Sequence, residues 1–381
     1  MKNENQGKRF CFVMELFFPE IKGGSELQAL NIAEELIKRD WEIHYIREKS
    51  RFLLEDPIYQ GIHLHQISHR HTKMKWLNIF QLYKRMKSIK ADFWYCRGTV
   101  SYLFPVWICS RFSGGKVVWA CSHDDQLVPM GDYGTKRKII YRVFNSLDKL
   151  LFKLALKKTD FILLQSVFQE KTLKEKYRLS GIVIYNGHQI PPASLAERES
   201  ILLWVGRLST KKNPEKIVEL ARCLAPSPIK VIAVGDPMGN EDSLQLFRES
   251  EKELDNFEYR DEMEREELYS LVSRASILIN TSTAEGFSNT FIEAWMRGVP
   301  VFSLNVDPDG LVSEKKLGKV SNSIERMADD IKDLLNDKIQ YEKMSRHCRD
   351  FAARIFNIQD KVSELVAQIT GTSTTGKDMD V

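Results

Sequence analysis

Short, nearly unbroken apolar runs recur through the first half of the chain, at Phe10 to Phe18, Ile43 to Ile46, Phe93 to Cys96, Val117 to Cys121, Phe161 to Leu164 and Ile182 to Tyr185. Segments of helical period separate them. A strand that is apolar on both faces has to be covered on both faces, which is the mark of a parallel sheet held between two layers of helices. The pattern stops at a polar stretch, His188 to Ser200, which carries Pro191 and Pro192. It restarts at Ile201 to Val205, Ile229 to Val234, Ile277 to Ile279 and Val301 to Leu304. Helices are predicted between these runs over Pro214 to Leu224, Glu241 to Leu254, Arg265 to Ala275 and Asn289 to Arg297, with Gly298 as a stop.

The expected fold class is therefore α/β, with two doubly wound, Rossmann-like domains. The 381 residues exceed the roughly 250 to 300 at which one hydrophobic core stops growing. The sequence divides into a first domain over 1–190, a linker over 191–200 and a second domain over 201–345. A long final helical stretch, about Ile339 to Ile369, follows; its part at 346–370 is expected to return to the first domain, before a disordered tail at 371–381. Ligands of open parallel sheets bind outside the carboxyl ends of the strands. Two such domains facing each other would enclose a cleft lined by strand-end loops.

Composition narrows the function classes. No apolar run approaches the roughly 20 residues of a membrane-spanning helix, and no cleavage site follows the charged start, so a cytoplasmic chain is expected. The six cysteines, Cys11, Cys96, Cys109, Cys121, Cys223 and Cys348, have no metal or redox spacing and read as buried thiols. Residues 1 to 195 hold 31 Lys and Arg against 19 Asp and Glu, and residues 196 to 381 hold 25 against 33. Such a basic half suits a phosphorylated or membrane-bound partner; nucleic acid is disfavoured because no zinc-finger, RNP or helix-turn-helix signature is present. Lys136 to Lys158 reads as a basic amphipathic helix, with Ile140, Val143, Leu147, Leu150 and Leu154 at helical spacing. Lys73 to Lys90 interleaves six cations with Trp76, Leu77, Phe80 and Tyr83. Both point to an anionic membrane surface, or else to apolar stripes packed on the sheet beneath solvated cations.

The most informative stretch is 285 to 293, EGFSNTFIE, directly after an apolar strand. Gly286 permits a sharp turn, Ser288 or Asn289 can cap the helix, and the free amides of its first turn suit a diphosphate. Glu293 could accept from both hydroxyls of a ribose, and Glu285 would reach past the phosphates toward a sugar. Standing alone, the two carboxylates could equally be solvated. At 204 to 214, WVGRLSTKKNP, another strand ends at Gly206 and is followed by Arg207 and Lys212, cations able to neutralise a leaving diphosphate. In the first half, PEIKGGSE places Gly23 and Gly24 after a strand and at a helix start, and CSHDD places His123 at another strand end.

These motifs, GGSE, SHDD, IYNG at 184 to 187, VGRL with Lys212 five residues past its arginine, and Glu285 eight positions before Glu293, together resemble the retaining GT-B glycosyltransferases of family 4, or group 1. The resemblance runs to about residue 355. It implies a nucleotide-sugar donor with its diphosphate on Arg207 and Lys212, its ribose on Glu293 and its sugar on Glu285. The loop and helix start at Phe287, Ser288, Asn289 and Thr290 would lie against the donor, and Gly23, Gly24 and His123 would close over the sugar. It also implies front-face transfer of a sugar to a glycan or lipid-linked acceptor, as in surface polysaccharide or glycoconjugate synthesis, with no protein nucleophile, no cofactor and no bound metal. Ser288 stands where the family often has proline. Asp309 and Gly310 stand near its glycine-rich turn; Asp307 and Asp309 have metal-ligand spacing, but Pro308 between them indicates a turn. The rival readings are a GT-B epimerase or phosphorylase, an inactive GT-B partner subunit, and a dinucleotide oxidoreductase, which would need a G-x-G-x-x-G turn that no strand here precedes.

Overall fold

A computed structural model describes residues 7–18, 20, 23–49, 57–68, 75–127, 139–192, 198–225 and 227–372. The expected tail beyond 372, most of the linker at 193–197, Lys73 and Lys136 to Lys138 lie outside the described residues. The chain forms two compact units, Met1–Gly187 with Ile358–Val381, and His188–Asn357.

The first unit runs β1 (Arg9–Val13), α1 (Gly24–Ile37), β2 (Glu42–Glu48), β3 (Ile58–Tyr59), β4 (Ile62–Ile67), α2 (Ile79–Ile89), β5 (Phe93–Arg97), α3 (Leu103–Ser113), β6 (Lys116–Ala120), α4 (Ile139–Leu156), β7 (Phe161–Leu164), α5 (Val167–Tyr177) and β8 (Ile182–Val183). Its sheet has the order β3-β4-β2-β1-β5-β6-β7-β8, parallel except for β3. The apolar runs divide by strand periodicity as a two-sided sheet demands. Cys11 and Val13 face Leu82, Met86, Val106 and Phe152. Phe10 and Phe12 face Leu30, Ala33 and Leu36 on the other side. The first strand is shorter than its apolar run, because Met14 and Phe17 leave the ladder yet stay buried, with Phe17 edge-on to Tyr45 and Tyr59.

The second unit follows with β9 (Ile201–Val205), α6 (Glu215–Leu224), β10 (Lys230–Val234), α7 (Glu241–Glu253), β11 (Phe257–Arg260), α8 (Arg265–Arg274), β12 (Ile277–Asn280), α9 (Asn289–Met296), β13 (Val301–Ser303), β14 (Gly318–Val320), α10 (Ile324–Asn336) and α11 (Lys338–Ile355). All six strands are parallel, in the order β11-β10-β9-β12-β13-β14. Gly298, at φ 71°, ends α9 as expected, with its amide and that of Val299 returning to the Trp295 and Ala294 carbonyls.

The last helical stretch is two helices, not one. The chain breaks at Phe356 and Asn357, where Phe356 is fully buried against Phe287, Trp295 and Phe351. Residues 346–355 therefore stay in the second unit, and only α12 (Ile358–Thr370) belongs to the first, through Ile358, Val362, Leu365 and Ile369. IYNG meets α12 here. Gly187 donates to Gln28 Oε1 and accepts from Asn31 Nδ2, each at 3.2 Å, and a Cβ on it would stand 2.9 Å from Ile358 Cα. Only glycine fits.

The basic segments mix buried and exposed positions. On α4, Phe152, Ala155 and Leu156 are buried, whereas Leu150 and Leu154, from the expected apolar stripe, are 54% and 48% exposed. Leu147 is half-buried, and the side chains of Ile140 and Val143 lie outside the described residues. Lys75 is no surface cation: it is buried between Glu15 and Glu48 at 3.0 and 2.9 Å. The six cysteines are free and all but Cys223 are buried, which pushes the Cys109 and Cys121 thiols up to about 12. Among the described residues no helix is long and apolar enough to cross a membrane.

Candidate active site

In the second unit the direction of winding reverses between neighbouring strands β9 and β12, the point at which ligands of open parallel sheets bind. At the end of β9, Gly206 donates to the Val234 carbonyl, and Gly235 packs so closely that a Cβ on it would lie 1.9 Å from the Gly206 oxygen. This backbone contact sets the course of the loop carrying Arg207 and Lys212. Thr281, past the end of β12, straps the same loop by donating to the Lys212 carbonyl at 2.7 Å and accepting from Trp204 Nε1 at 2.8 Å. A second strap joins the Thr283 amide to the Lys211 carbonyl at 2.9 Å.

The straps bring Lys212 to Glu285: the ammonium contacts Glu285 Oε1, which also accepts from Ser282 Oγ at 2.7 Å. Arg207 is exposed and has no ion pair among the described residues. At the start of α9, Ser288 occupies the cap position by its backbone, but neither Ser288 nor Asn289 caps the helix with its side chain. The Ser288 hydroxyl bonds that of Thr290 at 2.8 Å, and Asn289 Oδ1 lies 3.3 Å from His188 Nε2. Within that first turn the Phe291 amide already returns to the Ser288 carbonyl at 3.2 Å. Phe287, buried against Phe356 at 5.7 Å, anchors the loop.

Glu293 lies one turn into α9, buried, and forms a separate cluster. Tyr269 Oη donates to its Oε1 at 3.0 Å, and His188 Nδ1 stands 3.7 Å from the same oxygen. Burial pushes the Glu293 carboxyl up, against the hydrogen bond from Tyr269 and the charges of Arg265 and Arg297, which draw it down. Burial also holds His188 down to about 4, so that its ring is neutral.

Two family models tile most of the chain: one described as Glycosyltransferase Family 4 matches residues 22–189, and one described as Glycosyl transferases group 1 matches residues 188–351. The chain belongs to the group 1 glycosyltransferases. No curated protein sequence matches it. Solved structures share the fold at low identity. HepE of Anabaena, in complex with UDP and glucose, is 17% identical with a TM-score of 0.73, over 96% of this chain and 100% of its own. Sucrose-phosphate synthase of Thermosynechococcus elongatus is 16% identical with a TM-score of 0.74, over 96% and 100%. A mutant of TarM from S. aureus, in complex with fondaparinux, alpha-GlcNAc-glycerol and UDP, is 11% identical with a TM-score of 0.76, over 95% and 99%. The fold is GT-B.

In the first unit of this glycosyltransferase, Gly23 precedes α1 and Gly24 opens it, and the Glu26 carboxylate folds back over Gly23, where a Cβ would meet it at 2.1 Å. The space expected there for a ligand is partly filled by the helix's own acid. His123 is exposed just past β6, at the start of a short turn, Asp124–Gln126. Pro308–Gly310 forms the expected turn after β13, with Asp309 at φ 51° and Gly310 at φ 69°. The Asp307 carboxylate accepts from the Val312 and Ser313 amides at 2.8 and 3.3 Å. Sequence reasoning missed Tyr269, His188, Ser282 and Gly235. Only Gly235, which ends the apolar run of β10, carried a local signal.

Proposed function

We propose that this chain moves a glycosyl group from a nucleoside diphosphate sugar to a glycan or lipid-linked acceptor, with retention of configuration and without a cofactor or bound metal. The observation that supports this most is that an exposed Arg207, the Lys212–Glu285 pair and the start of α9 meet at one switch point. The diphosphate would take Arg207, Lys212 and the positive end of α9, the ribose Glu293, and the sugar Glu285. In the step proposed, the bond from the sugar's anomeric carbon to the phosphate oxygen breaks as the acceptor oxygen bonds to that carbon on the same face. The acceptor's proton passes to the departing diphosphate. Arg207 and Lys212 neutralise charge that grows on the leaving group, so they act most strongly in the transition state.

The test of the nucleotide site is Glu293→Ala. A ribose contact exists before and after chemistry, so its loss raises the Kd of the nucleoside diphosphate by about tenfold to a hundredfold, as for hydrogen bonds to a charged group. Calorimetry with UDP, GDP and ADP measures it. An unchanged Kd for the nucleotide that binds wild type removes Glu293 from the site.

The acceptor side carries a second reading, docking on an anionic membrane. Helices α2, α3 and α4 pack side by side in the first unit. They expose Phe80 (83%), Phe112 (74%), Leu150 and Leu154 among exposed Lys84, Lys87, Arg111, Lys149, Lys153 and Lys157. Each cation near an anionic surface contributes about 1 kcal/mol, and exposed aromatic and leucine side chains add apolar insertion. Sedimentation with phosphatidylserine vesicles at low salt is expected to carry the protein down, and high salt to release it. No binding at low salt contradicts the reading.

A further inference from the structure

We infer that Tyr269 is a positioning residue for Glu293, fixing one carboxylate oxygen so that the other is presented to the ribose of the donor; this rests on the nucleotide reading above. Tyr269 belongs to α8 and Glu293 to α9, so the pair joins two helices of the second unit. The direction of the hydrogen bond follows from the neighbours. Arg265 Nε donates to the Tyr269 oxygen at 2.6 Å, so the phenol's own proton needs an acceptor, and Glu293 Oε1 at 3.0 Å supplies it. Burial pushes the phenol up, which keeps that proton in place.

The ring itself is clamped. The Arg297 guanidinium lies 4.0 Å from its centroid and that of Arg265 lies 5.0 Å away, both in the range of cation–π attraction. Arg297 is tied in turn to the Glu293 backbone carbonyl at 3.0 Å. The groups facing the carboxylate are therefore Tyr269 and Arg265 from α8, Arg297 from the end of α9, and His188 from the start of the unit, which stands 3.7 Å from the same Oε1. Glu293 Oε2 accepts no hydrogen bond from the described residues. A carboxylate has room for about four hydrogen bonds, so ribose hydroxyls can engage Oε2 without displacing Tyr269. The tyrosine then favours the ionised form against the upward push of burial and orients the acid before the ligand arrives, which lowers the cost of binding.

The experiment compares wild type, Tyr269→Phe and Glu293→Ala by calorimetry with UDP, GDP and ADP as probes, across pH, with Tm for each variant. Tyr269→Phe keeps the ring between the two guanidiniums and removes one hydroxyl. The expected result is a Kd about tenfold higher for whichever probe binds wild type, with kcat at saturating donor changed less than about twofold. Without the hydroxyl the carboxyl protonates at higher pH, so the acid limb of the affinity profile moves upward. A purely structural role lowers affinity equally at every pH and overturns the inference, as does a Tyr269→Phe protein indistinguishable from wild type while Glu293→Ala binds weakly. If Tyr269→Phe fails to fold, Arg265→Met, which weakens the phenol as a donor, is expected to shift Kd and the acid limb in the same direction by less, and an unchanged limb in it overturns the inference. Unchanged binding in Glu293→Ala, or no binding of any probe to wild type, removes the nucleotide reading and the inference with it.

Discussion

Arg207→Ala is expected to lower kcat by about a hundredfold to a thousandfold while leaving Tm unchanged. Removing one preorganised donor from a developing negative charge has an effect of that order elsewhere. Arg207 suits the role because the fold does not use it: the side chain is exposed at the end of β9, with no ion pair among the described residues. Its loop is held by backbone and threonine contacts instead, through Gly206, Gly235 and Thr281. Substituting an exposed, unpaired side chain seldom changes stability by more than about 0.5 kcal/mol. Steady-state release of nucleoside diphosphate and a melting curve check both halves. A normal kcat would show that the diphosphate is neutralised elsewhere.

Glu285→Ala is expected to lower kcat by about a hundredfold while changing nucleoside diphosphate Kd by less than about threefold. Free nucleotide lacks the sugar that Glu285 is proposed to meet, so the loss falls on turnover. The same change frees Lys212 and Ser282, both of which now bond to Glu285 Oε1. A lysine released from its carboxylate binds phosphate at least as well as before, so nucleotide affinity is not expected to fall. Glu285→Gln keeps an acceptor for Lys212 and removes the charge. Comparing the two variants separates the carboxylate's effect on the sugar from its effect on the lysine.

How far the sequence carries depends on the range of the interactions. The interior strands β5, β7, β9 and β12 were legible because burial on both faces makes them apolar throughout. β4 and β11 were not, since they alternate: in β11, Phe257 and Tyr259 are buried while Glu258 and Arg260 are half-buried. The break after α11 has no glycine or proline to mark it; Phe356, held by three aromatic neighbours in space, makes it. On α4 the leucines are dense enough that helical spacing fits two faces, and packing selects Phe152, Ala155 and Leu156. The site divides in the same way. EGFSNTFIE showed a loop acid, a turn and a helix acid, all local features. The Lys212–Glu285 pair spans 73 residues and the Tyr269–Glu293 bond 24, and neither follows from spacing.

The proposed reaction breaks the bond between a sugar and a nucleoside diphosphate at the β9–β12 switch point. Its most direct test is release of nucleoside diphosphate from a panel of nucleotide sugars in the presence of a chelator, with the configuration of the released or transferred sugar followed by NMR. Release from at least one donor is expected, undiminished by chelator, slowed about a hundredfold or more in Arg207→Ala and with the anomeric configuration retained. No release from any donor, or release only on adding manganese, or inversion at the anomeric carbon, would contradict it.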